Sequence, residues 1–215
     1  MTSPRSQLLG PTSVAAALGA GATIIDGRAP EVFDAGHVSG AVNVPAGDDS
    51  GALTACLVGR DVPVIALADD PDEAAGIADQ LDLAGFRSVL GAASAAAAGP
   101  ALGRHRLQRS GAVEVGRLAA ELATGAVLLV DVRDAWESCE GRIPGSVHLP
   151  LTNLRAAAHL LPAVPTVTVC TDGRRAAAGA SALRRFGHRN VWRLAGAGVP
   201  ELLARPIGLD LLGAA

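Results

Sequence analysis

The chain has 215 residues, 49% apolar and 18% charged, with a net charge of -3. That length suits two small domains, each burying its own core, and the composition is that of a packed protein and not a disordered one. No block of like charge is long enough to form a basic stripe, so neither nucleic acid nor an anionic membrane is an expected partner.

Met1 to Gln7 lack the long apolar core of a secretion signal, and no stretch reaches the length of a membrane span, so a cytoplasmic location is expected. The three cysteines, Cys56, Cys139 and Cys170, are odd in number and far apart, which suits reduced thiols. The five histidines form no ligand pair at helical spacing. Neither a metal nor a cofactor is expected.

In chain order, the first strand signal is Ala22 to Asp26, closing on Asp26-Gly27-Arg28. Gly19-Ala20-Gly21 precedes this strand instead of following it, so it fails the dinucleotide fingerprint. Val64 to Ala68 reads as a buried strand. It runs into Asp69-Asp70-Pro71-Asp72-Glu73, a helix start with Asp70 as cap, Pro71 in the first turn and Glu73 placed for a capping box. Between Ala92 and Leu107, alanines, Gly99-Pro100 and Gly103-Arg104-His105-Arg106 interrupt any apolar period and mark a seam.

Beyond the seam, Val115 to Leu122 has helical spacing, Val127 to Asp131 is an apolar strand, and Thr152 to Leu160 returns to helical period. Thr166 to Cys170 is a strand, Arg174 to Phe186 a helix with Ala176, Ala180 and Leu183 on one face, and Asn190 to Leu194 a further strand. Buried strands separated by helices imply a parallel sheet covered on both faces, with ligands at the carboxyl ends of the strands.

The two halves repeat one another. An offset of 105 lays Asp26, Arg28, Gly36, Gly40, Val42 and Pro45 over Asp131, Arg133, Gly141, Gly145, Val147 and Pro150. An offset of 102 lays Val64 to Ala68 over Thr166 to Cys170. Ala68 thus stands where the second half has a cysteine, and the first half has no nucleophile.

Cys170 closes its strand on Thr171-Asp172-Gly173-Arg174-Arg175. A tight turn at a helix start aims backbone N–H groups and the positive helix end at the strand terminus, and two arginines add charge. In such a setting a thiol titrating near ~8.5 falls to about 3.5 to 7.5, which gives a nucleophile at neutral pH. Gly173 lets the backbone turn inward, and Arg174 and Arg175 are placed to neutralise an anion at the strand end. Asp172 is discordant, since a carboxylate aimed at the sulfur raises its pKa and repels an anion. It is expected to face the helix start or an arginine.

These residues resemble the rhodanese family of thiosulfate-type sulfurtransferases, and the whole chain resembles its tandem two-domain members. The first signature is carried by Asp131-Val132-Arg133, Trp136-Glu137 and Gly141 to Pro150, and again by Asp26-Gly27-Arg28, Phe33 and Gly36 to Pro45. Cys170 to Arg175 resembles the six-residue active loop. The family's closing Gly-Gly-x-x-x-Trp stretch is replaced here by Leu194 to Pro200, without tryptophan.

The resemblance implies an α/β fold of two tandem rhodanese-like domains, each a parallel sheet of about five strands flanked by helices on both faces. Residues 1–102 would be catalytically inactive and 103–215 catalytic. It further implies that Cys170 takes a sulfane sulfur from a small anionic donor such as thiosulfate or 3-mercaptopyruvate, holds it as a persulfide on the Thr171, Asp172, Gly173, Arg174 and Arg175 loop, and passes it to cyanide or a thiol, a protein thiol included. The alternatives are a non-enzymatic persulfide relay or regulatory module, and phosphatase or arsenate reductase chemistry. The latter needs an arginine six positions after the cysteine, where this chain has Ala176.

Asp131 and Arg133, like Asp26 and Arg28, are read as structural residues near the site, since both halves have them. His37 and His148 read as satisfied structural histidines, Trp136, Trp192 and Cys56 as core, and Cys139 as exposed.

Overall fold

The structure, a computed structural model, describes residues 7–99 and 107–204. Met1 to Ser6 and the Gly103-Arg104-His105-Arg106 part of the seam lie outside the described residues. The chain divides into two compact units, Met1–Arg109 and Ser110–Ala215.

The first unit runs α1 (Pro11–Gly19), β1 (Thr23–Asp26), α2 (Pro30–Ala35), β2 (His37–Val38), β3 (Val42–Asn43), α3 (Ser50–Leu57), β4 (Val64–Ala68), α4 (Pro71–Leu83), β5 (Val89–Ser94), α5 (Ala95–Ala98) and β6 (Leu107–Gln108). Its parallel sheet has the order β3-β1-β4-β5, and a single parallel bridge from Leu8 to Ala92 extends it beyond β5. β2 and β6 form a separate antiparallel pair. Alternation along the strands sends Ile24, Ile65 and Leu67 into a core with Val14 of α1 and Phe33 of α2. On α4 the buried residues Ala74, Ile77, Ala78 and Leu81 recur at helical spacing. Asp70 caps this helix, accepting from the amides of Asp72 and Glu73 at 2.8 and 3.0 Å, an arrangement worth about 1 kcal/mol.

The second unit runs β7 (Ala112–Glu114), α6 (Val115–Ala123), β8 (Leu128–Asp131), α7 (Ala135–Glu140), β9 (Val147–His148), α8 (Leu151–Ala157), β10 (Thr166–Val169), α9 (Arg174–Arg185), β11 (Val191–Ala195) and α10 (Val199–Ala204), with a 3₁₀ turn after α8. The sheet order is β7-β11-β10-β8-β9, all pairs parallel. Val167 and Val169 point into a core with Leu118 and Leu122 of α6 and Val199 and Leu202 of α10. Facing the other way, Thr168 gives its hydroxyl proton to the Ala176 carbonyl at 2.8 Å, tying β10 to the first turn of α9.

The duplication is therefore one α/β fold built twice. With Leu8 at the offset of 105 and Ala92 at the offset of 102, the Leu8–Ala92 bridge corresponds to the middle of the β7–β11 pairing, where Val113 faces Leu194. Among the described residues, the edge strand of the second sheet is reduced to one bridge in the first. Central β10 ends directly on Cys170, so the thiol sits at the carboxyl edge of the sheet's middle strand.

Candidate active site

Cys170 is 1% exposed, while the next two residues, Thr171 and Asp172, are exposed. Its Sγ accepts from the amides of Gly173 at 3.1 Å and Ala176 at 3.2 Å. The turn that aims these amides requires Gly173, which caps α9 in the left-handed region at φ +89, a conformation that only glycine adopts at little cost. The back of the loop is held by Val199, whose amide donates to the Cys170 carbonyl at 2.9 Å. Gly198 passes so close that a Cβ there would stand 1.7 Å from the Thr171 carbonyl oxygen.

The thiol's titration departs from the expected depression. Burial pushes Cys170 above its ordinary range, and the amides of Ala176, Asp172 and Gly173 pull it down only in part. The Asp172 carboxylate adds to the rise. Donors and a helix end are legible in a sequence, whereas the loss of solvent around a sulfur enclosed by β10, α9 and the loop at Gly198 is a tertiary fact, and here it prevails.

Asp172 does face the helix start, its Oδ1 accepting from the Arg174 amide at 3.1 Å. The same oxygen also lies 3.5 Å from Cys170 Sγ, in position to accept the thiol proton. The carboxylate that was expected to turn away from the sulfur touches it.

Arg175 is committed to carboxylates. It gives Nη1–H to Glu137 Oε2 at 2.5 Å and Nη2–H to Glu137 Oε1 at 2.7 Å, with a longer contact to Asp134 at 3.3 Å. Glu137 Oε1 also accepts from the Thr171 hydroxyl at 2.6 Å, so one carboxylate grips both ends of the loop. These bonds, Arg175's first, hold the Glu137 carboxyl down at about 2. Arg175 in turn is held above its ordinary range, chiefly by the Glu137 hydrogen bonds, with smaller charge contributions from Glu137, Cys170 and Asp134.

Glu137 stands in the sequence only as part of the first signature, and the structure makes it a residue of the site. Asp134-Ala135-Trp136-Glu137 is a capping-box pattern, and α7 begins with one: the Asp134 side chain takes the Glu137 amide, and Glu137 Oε2 takes the Asp134 amide at 3.0 Å. That local signal places Glu137 in the first turn of α7. Its bonds to Thr171 and Arg175 span 34 and 38 residues and leave no local mark.

Asp131 and Arg133 form a buried pair, Nη2 to Oδ2 at 2.8 Å, and Arg133 donates onward to the carbonyls of Gly141 and Glu137. Asp26 and Arg28 repeat it, with Nη2 to Oδ2 at 2.7 Å and onward to the Gly36 carbonyl. His148 Nε2 meets the Arg133 carbonyl at 2.9 Å, and His37 Nδ1 meets the Phe33 carbonyl at 2.9 Å while stacking on the Phe33 ring. The Glu137–Arg175 bridge has no such twin: the same offsets place Val32 and Glu73 at those positions.

Two core assignments are corrected. Trp136 is 65% exposed, because Glu137 takes the inward position of α7, and Cys56 is only half-buried on α3. Cys139 is exposed. Among the described residues no group of three His, Cys, Asp or Glu side chains could hold a metal ion, and no helix is long and apolar enough to cross a membrane.

A doubly covered parallel sheet, present twice, with a cysteine cradled by a helix start in one copy, defines the class of this protein. The rhodanese-like domain model matches the chain over residues 10–90 and again over 114–198, and the chain belongs to that family as a tandem of two such domains. Among solved structures it is similar to a human single-domain sulfurtransferase (27% identity, TM-score 0.40, covering 45% of this chain and 98% of that one). It is also similar to a thiosulfate sulfurtransferase from Pseudomonas aeruginosa (19%, 0.41, 92% and 44%) and a 3-mercaptopyruvate sulfotransferase from Escherichia coli (16%, 0.39, 88% and 98%). Among curated proteins none matches the chain.

Proposed function

We propose that this protein is a sulfurtransferase that moves a sulfane sulfur from a donor such as thiosulfate or 3-mercaptopyruvate to a thiophilic acceptor, cyanide or a thiol, through a persulfide on Cys170. The observation that carries the reading is the convergence of the Gly173 and Ala176 amides on one sulfur atom.

In the first step the Cys170 thiol loses its proton and Sγ attacks the sulfane sulfur. The new S–S bond forms as the donor's bond to that sulfur breaks and its electron pair departs with the leaving group. In the second step the acceptor attacks the outer sulfur and Sγ leaves as thiolate. Amide donors fixed before the reaction stabilise charge on sulfur without having to reorganise. Thr171, Asp172, Gly173, Arg174 and Arg175 form the loop that holds the persulfide, Glu137 positions it, and Asp131 with Arg133 fixes the neighbouring turn. The unit bearing Ala68 is catalytically silent.

Ala176 supports sulfur transfer over phosphate chemistry, because it supplies an amide to Sγ where a phosphatase loop would need an arginine. The test is thiocyanate production from thiosulfate or 3-mercaptopyruvate with cyanide, measured beside Cys170→Ser and with a phosphate ester as competing substrate. Thiocyanate formed by the native protein and lost in the variant is the expected result. Phosphate release without thiocyanate contradicts the reading.

A further inference from the structure

We infer that the sulfur reaching Cys170 comes from an organic hydropersulfide of low charge, R–S–SH, in preference to dianionic thiosulfate; this rests on the sulfur-transfer reading above.

The argument is one of charge at the mouth of the loop. Cys170 is buried beneath exposed Thr171 and Asp172, so a donor approaches past these two residues. Asp172 Oδ1 stands 3.5 Å from Sγ and is pinned there by the Arg174 amide. Arg175, the cation whose field reaches the sulfur, is already matched by Glu137 and Asp134. Asp134 and Glu137 thus meet Arg175, Asp172 stands at the sulfur, and the buried Asp131–Arg133 pair is neutral in itself. Arg175 therefore brings no unmatched positive charge to the sulfur, and a carboxylate oxygen lies 3.5 Å from it. Repulsion grows with donor charge, so a dianion suffers it about twice as strongly as a monoanion.

The step balances without an external oxidant. Cys170 loses its thiol proton, Sγ bonds to the terminal sulfur of R–S–SH, and the donor S–S bond breaks with its electron pair leaving on R–S⁻, which takes up the proton. The products are the Cys170 persulfide and R–SH.

The experiment loads the full-length protein with thiosulfate or with 2-hydroxyethyl hydropersulfide at equal concentration and follows the sulfur adduct on Cys170 by intact mass against time. The native protein is expected to load faster from the hydropersulfide. Asp172→Asn and Asp172→Ser, the latter keeping an oxygen for the Arg174 amide, are expected to raise the thiosulfate-to-hydropersulfide rate ratio about tenfold. Asp172→Glu, which keeps the charge, is expected to leave it within about twofold. Both donors meet the same nucleophile, so the ratio cancels any change in the thiol itself. Faster loading of the native protein from thiosulfate, or a ratio unmoved in both neutral variants, overturns the donor assignment and leaves sulfur transfer standing. No adduct from either donor overturns both.

Discussion

Glu137 and Arg175 meet through two hydrogen bonds across 38 residues, and the same carboxylate takes the Thr171 hydroxyl. The loop that carries Cys170 is therefore clamped at its second and sixth residues by one side chain of α7. The first unit has Val32 and Glu73 at the corresponding positions.

Glu137→Gln is expected to lower the rate of persulfide formation on Cys170 more than tenfold and to destabilise the second unit by about 2 kcal/mol, since a bidentate charged bond becomes a weaker neutral one. Urea denaturation and loading kinetics check the two effects separately. An unchanged loading rate in a folded variant removes Glu137 from the site.

The same carboxylate predicts an acid dependence. Its folded pKa is depressed from the ordinary 4.5 to about 2 by Arg175, so its contribution to stability is fully present above about pH 4.5 and is lost as the pH falls toward 2. The stability difference between native protein and Glu137→Gln, measured by denaturation at a series of pH values, should be constant from pH 7 to 5 and shrink below that.

Cys170 predicts the opposite direction on the alkaline side. Burial first, and then Asp172, hold its thiol above the ordinary range. Its thiolate absorbance should rise only at alkaline pH, and Asp172→Asn should shift that rise to lower pH. A native thiolate fully formed at pH 7 contradicts this account of the cradle.

Installing the nucleophile alone should not make a second site. In Ala68→Cys the new thiol would precede Asp69 and the Asp70 cap and would lack the Glu137–Arg175 clamp. With Cys170→Ser in the same chain, no persulfide is expected on the first unit by peptide mass mapping.

Gly198→Ala and Gly76→Ala should act in opposite directions. A Cβ at Gly198 would collide with the Thr171 carbonyl, so the loop must shift, at a cost of about 1–3 kcal/mol and with loss of loading. Gly76 lies on the open side of α4 with nothing within 4 Å, and alanine there should stabilise the first unit by about 0.5–1 kcal/mol.

The strand ending on Cys170, the turn through Gly173 and the helix after it are neighbours in sequence and were readable there, as was the repeated Asp–Arg pair. What could not be read depends on who packs against whom. The capping pattern marks Glu137, but nothing local says that it reaches Thr171 and Arg175. Trp136 has the composition of a core residue and turns outward because its neighbour takes the inward place. The cradle's amides were foreseeable, and the burial that outweighs them was not.

The most direct test is the mass of the intact protein after exposure to a sulfane-sulfur donor, followed by peptide mapping. The account predicts one added sulfur atom, located on Cys170 and absent from Cys170→Ser; an adduct confined to Cys139 or Cys56, or none with any donor, contradicts it.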